Sequence, residues 1–161
     1  FHQYLFYALD HLEASLWFNE GHAVLFENVE LRNRGVQLLE NKNMARLLEE
    51  VLPKQEMTLR DVLDLDMEAF YAQSETTRAI NYTMAWALVY YLRLCIATEH
   101  KSPYAGLLDN YVELLWKTHD AAAATEQTFH NVDMLQLEKD FRAFWANPRQ
   151  RAQAERVTLG P

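Results

Sequence analysis

The chain has 161 residues, of which 50% are hydrophobic and only four are glycine and four proline. That is enough apolar material for the core of one domain, and too few turn residues for a β sandwich or barrel. A net charge of −8 argues against a nucleic-acid partner, and the single cysteine, Cys95, excludes an intrachain disulfide or a cysteine metal cluster.

The hydrophobic period is helical almost throughout, so the expected class is all-α with essentially no sheet. In "HQYLFYALDHLEA", Leu5, Leu9 and Leu12 share one face, with His2, Phe6 and Leu9 on an adjoining stripe. The chain opens at Phe1 inside this pattern, as a fragment or processed product would. Asn19 is the expected cap of a second helix running to about Glu30. "NKNMARLLEEVL" reads as a third, stopped by Pro53. Thr58 with Asp61 forms a near capping box for "LRDVLDL", and Asp66 is placed to cap "MEAFY".

The longest helix is predicted from about Glu75 to Ala97, with Ile80, Met84, Leu88 and Tyr91 on one face. Its apolar run, Met84 to Leu92, is too short to span a bilayer. Ser102 and Pro103 mark the expected start of "YAGLLDNYVELLWK". Asp120 caps "AAAATEQTFH", and Asp133 with Gln136 starts a helix carrying Leu137, Phe141 and Phe144. The expected organisation is one helical domain over residues 1–147 and a polar, frayed tail over 148–161.

The stretch "LWFNEGHAVLFE", Leu16 to Glu27, places a carboxylate in apolar surroundings. Such a group is costly to bury unless a surface Lys, a solvated edge or a metal ion meets it. His2 lies on the preceding helix, and two antiparallel helices joined by a short loop could bring it to Glu20. Zinc accepts both imidazole and carboxylate. His11 is off the face of His2. His22 points away from Glu20. His100, His119 and His130 fall near predicted helix C-termini, where imidazole is favoured anyway. Cys95 reads as a small core residue.

Trp17, Phe18, Asn19, Glu20, Gly21, His22, Ala23, Phe26 and Glu27 resemble the Trp-x-x-Glu-Gly-x-Ala-x-x-Phe-Glu pattern of gluzincin metallopeptidases. These are the thermolysin and aminopeptidase type, in the peptidase MA-like group. "HQYLFYAL" resembles the continuation after the second zinc His of their His-Glu-x-x-His motif. The resemblance implies that His2 is that second His and Glu20 the third zinc ligand. The first His and the catalytic Glu would precede Phe1.

"YTMAWALVYYL" is similar to the aminopeptidase helix whose Tyr stabilises the oxyanion, which implies that role for Tyr82. Thr83, Met84 and Ala85 replace the usual Glu-Lys-Gly. "TEQTFHNVDMLQLEKDFRAFW" resembles the closing helices of MA-like domains, so the likeness runs from Phe1 to about Asn147.

What the resemblance implies is zinc-assisted hydrolysis of a peptide or protein substrate, with an extracytoplasmic lean and no indication of oligomeric state. With two ligands in hand, this chain alone is expected to be inactive and to bind zinc weakly. The alternative is a non-catalytic helical binding or scaffolding domain that keeps the peptidase fold. An acidic helical interaction module unrelated to peptidases is a third reading.

Overall fold

A computed structural model describes residues 6–7, 10–32, 35–54, 57–98, 102–155 and 158–159. The described residues form nine α-helices, a 3-10 turn and a small three-stranded sheet. The order is α1 (Leu16–Glu27), β1 (Val29–Arg32), β2 (Gly35–Leu38), α2 (Lys42–Val51), the 3-10 turn (Leu52–Lys54), α3 (Leu59–Asp64) and α4 (Met67–Phe70). Then come α5 (Glu75–Thr98), α6 (Leu107–Thr118), α7 (Ala121–Phe129), α8 (Met134–Trp145), α9 (Pro148–Ala154) and β3 (Thr158–Leu159). The protein is a multi-helix bundle of the all-α class.

Helix α5 is its axis. Every residue from Met84 to Leu92 is buried, as expected of a helix apolar on all sides. Around it lie the buried stripes of α2 (Ala45, Leu48, Val51), α3 (Leu59, Val62, Leu63) and α8 (Leu137, Phe141, Phe144, Trp145). Helix α1 crosses α5 at Gly21. An added Cβ there would lie 2.6 Å from the Ala85 carbonyl oxygen and 2.7 Å from Val89 Cγ2. This glycine therefore lets two helix backbones approach.

Several local readings hold. Thr58, Asp66, Asp120 and Asp133 all cap helices through side-chain oxygens, and Thr58–Asp61 is a full capping box.

Others need correction. Helix α1 begins at Leu16, not after Asn19. Its cap residue is Ser15, whose hydroxyl is drawn instead to the Ala121 carbonyl (2.9 Å) and Thr125 Oγ1 (2.8 Å). The first predicted helix does not reach Ala14. Asp10 and His11 take positive φ values of 51° and 69°, and residues 12–15 are loop. Ser102 and Pro103 start a turn, and α6 begins only after Gly106, at φ 110°.

No strand pair was expected, yet β1 and β2 form an antiparallel hairpin with Val29 opposite Leu38, and β3 adds to β2. Asn28, at φ −124° and ψ 55°, ends α1 and releases the alternating Val-Glu-Leu-Arg segment into a strand.

The described part of the polar tail forms helix α9 and strand β3. Asn147 caps α9 by accepting from the backbone of Arg149 and Gln150. Arg151, 8% exposed, lies 3.1 Å from Glu40 and 3.0 Å from Glu49, and donates to the Trp145 carbonyl. The Glu40 amide donates to the Glu155 carboxylate at 2.9 Å, and Gln37 donates to the Glu155 carbonyl. A buried arginine among glutamates thus fastens a stretch whose composition reads as solvated.

Candidate functional site

Glu20 is 6% exposed on α1, although its side chain is polar. The Tyr71 hydroxyl donates to its Oε1 at 2.6 Å. Tyr71 sits immediately after the four-residue helix α4, and α5 fixes that short strap. Asn81, itself buried, donates to the carbonyls of Ala69 and Phe70, both at 2.9 Å. The next residue on α5 is Tyr82. Its ring lies 5.1 Å from that of Phe70 and 6.3 Å from that of Tyr71.

Burial raises the pKa of both phenols above the ordinary tyrosine value. The charge and hydrogen bonding of Glu20 add to the rise in each. Glu20 and Tyr82, named from the sequence, are thus neighbours, with Tyr71 as a third member. His2 and His100 lie outside the described residues.

Tyr71 also lines an open hollow of about 860 Å³ walled by the Asp66–Gln73 segment. A second cavity, of about 440 Å³ beside Tyr91, Tyr104 and Asp140, shares no residue with the Glu20 cluster.

As a metal centre the described part is incomplete. Among the described residues no three His, Cys, Asp or Glu side chains stand together as a metal group. What is present is a buried carboxylate that accepts a hydrogen bond from a phenol.

Sequence reasoning gave no pointer to Tyr71. It follows a four-residue helix too short to show a period, and only the bonds from Asn81 bring it to Glu20.

His22, two residues on, faces a different neighbour, as helical geometry requires. Its Nε2 takes hydrogen bonds from Arg93, 2.9 Å from Nη2 and 3.3 Å from Nε. Arginine can only donate, so Nε2 is the acceptor and Nδ1 donates to the Phe18 carbonyl at 2.8 Å. Burial first, and then the charge of Arg93, lower the pKa of His22 to about 3.

The sign of the effect on stability follows. An unfolded histidine takes its proton near 6.5, whereas the folded one stays neutral down to about 3. The folded state binds fewer protons between these values, so stability falls as pH drops below about 6.5, by up to about 1.4 kcal/mol per unit. Denaturant titrations at stepped pH should show this slope, and His22→Gln, which keeps an acceptor for Arg93, should flatten it. An unchanged slope in the variant would assign acid sensitivity elsewhere.

His11, by contrast, is exposed, its ring 4.9 Å from Phe6 and 5.3 Å from Tyr7. His119 and His130 are the C-cap residues of α6 and α7, as their positions predicted.

Fold and site together define an all-α domain built on one buried helix, with a buried carboxylate held beside two phenols. The chain belongs to a family described as a protein of unknown function (DUF1570), which matches residues 9–104. No curated protein and no solved structure matches it. Among the described residues no helix is long and apolar enough to cross a membrane.

Proposed function

We propose that this domain is the helical part of a zinc-dependent metallopeptidase that hydrolyses peptide bonds when its motif is complete. The observation that supports this reading most is the buried Glu20 carboxylate beside the Tyr82 phenol. These are the two described residues to which the gluzincin likeness gives chemical roles. They are distant in sequence and adjacent in the fold.

In this reading His2 and Glu20 hold the zinc ion, together with a His that precedes Phe1. Bound zinc supplies an activated water and polarises the scissile carbonyl. Tyr82 donates to the oxygen that gains negative charge, an interaction that strengthens as the charge grows. Glu20 contributes negative charge and fixed direction at the ligand position.

Two observations test the reading. The coding sequence immediately upstream of Phe1 should complete His-Glu-x-x-His with Phe1 and His2. Protein purified with those native residues should hold one zinc per chain, and Glu20→Gln should weaken that binding by at least about tenfold. The 161-residue chain alone, lacking the first His, should bind zinc far more weakly. An upstream sequence without the His-Glu pair would instead favour the non-catalytic domain that keeps the fold.

A further inference from the structure

We infer that Tyr71 is the positioning residue of Glu20, delivered to it by a strap that Asn81 pins to α5. This deepens the zinc-peptidase reading, but its geometry stands on separate observations. Tyr71 and Glu20 come from elements remote in sequence, and their 2.6 Å contact has the usual length of a strong hydroxyl–carboxylate hydrogen bond. A glutamate side chain has several rotatable bonds, so a buried carboxylate needs a partner to fix its direction. A phenol on a rigid ring does this with little entropic cost and adds no positive charge to compete with a cation.

The strap is built to hold that phenol still. Asp66 caps α4 by accepting from the Ala69 amide at 2.8 Å. The two Asn81 bonds take the carbonyls of Ala69 and Phe70, and Arg78 Nη1 donates to the Ala72 carbonyl at 3.4 Å. Phe70, fully buried, meets the ring of Tyr71 edge-on, with centroids 5.4 Å apart. Backbone anchors thus flank Tyr71 on both sides, while the residue as a whole remains 39% exposed. Its hydroxyl nevertheless reaches the buried Glu20. A tyrosine held only by hydrophobic burial has no need of this arrangement.

Asn81 and Tyr82 are consecutive on α5, so one turn of this helix both sets the strap that carries Tyr71 and presents Tyr82. Both phenols stand beside the Glu20 carboxylate, and Tyr71, carried by the strap, makes the 2.6 Å bond to its Oε1.

The first test needs no metal. In the chain labelled with 13C at glutamate carboxyls, Glu20→Gln identifies the Glu20 resonance. Tyr71→Phe, which keeps the ring and its packing, should move that resonance, and Asn81→Ala should move it in the same direction. A Glu20 resonance unmoved by Tyr71→Phe in a protein of unchanged melting temperature overturns the inference. The second test is zinc calorimetry on protein carrying its native upstream residues. Tyr71→Phe should weaken zinc by roughly tenfold or more. Equal affinity in wild type and Tyr71→Phe overturns the positioning role. Absence of zinc binding in the wild type overturns the peptidase reading and the positioning of a metal ligand with it, and leaves the phenol–carboxylate coupling to be decided by the first test.

Discussion

Arg151→Met is expected to destabilise the protein by about 3–5 kcal/mol, the usual cost of stripping one partner from a buried charge cluster. The guanidinium is 8% exposed and serves Glu40, Glu49 and the Trp145 carbonyl at once. Methionine keeps much of the volume and removes the charge, leaving Glu40, Glu49 and Glu155 to face one another. Burial already raises the Glu40 carboxyl above its ordinary pKa; Arg151 opposes the rise, while Glu155 and Glu49 add to it. Without the arginine it rises further. A carboxyl with a raised folded pKa favours the folded state in acid and loses that contribution as pH climbs through the folded value. The deficit of Arg151→Met should therefore be larger near about pH 8 than near about pH 5. Adding Glu40→Gln should recover part of it. Urea denaturation measures all three proteins, and a loss below about 1 kcal/mol would show that the cluster contributes little.

Gly21→Ala should cost about 3 kcal/mol, at the upper end for a single added methyl in a packed interior. The new Cβ would meet the Ala85 carbonyl oxygen at 2.6 Å and its carbon at 3.0 Å. Both are backbone atoms of α5, so no side chain can rotate away to relieve the contact. The better helix propensity of alanine, about 1 kcal/mol, offsets only part of this. Relief requires α1 to move off α5, which carries Glu20 away from Tyr71 and Tyr82. Thermal denaturation should show the loss, and the Glu20 carboxyl resonance should shift. A variant as stable as the wild type would mean that the helix crossing is looser than these distances.

The sequence revealed the helices wherever the signal is local. Side-chain caps such as Thr58, Asp66 and Asp120 act within a few residues, and the buried run Met84–Leu92 can be read from composition alone. It failed where a distant partner decides. Ser15 looks no more suitable than Asn19 as a helix start until Tyr111 accepts its amide at 2.7 Å. The polar stretch after Pro148 looks solvated until Arg151 finds Glu40 and Glu49. The hairpin strands span four residues each, too few for a period to stand out beside a helix. For the site, family likeness named Glu20 and Tyr82, whereas Tyr71 needed the strap to be seen in place.

The region shared with the family ends at residue 104, but the interior it builds does not. Trp17 lies against Tyr111 and Phe129 at ring distances of 5.0 and 5.8 Å, and its indole N–H reaches Thr125 at 3.1 Å. During synthesis, Trp17 must wait for the segment from Tyr111 to Phe129 before it is covered. A recombinant piece stopped at the family border would leave that indole and its neighbour Phe18 facing water, an invitation to aggregate. A shorter piece meant to fold alone has to run through Phe129 to shelter Trp17, and through Glu155 to close the seam at Glu40.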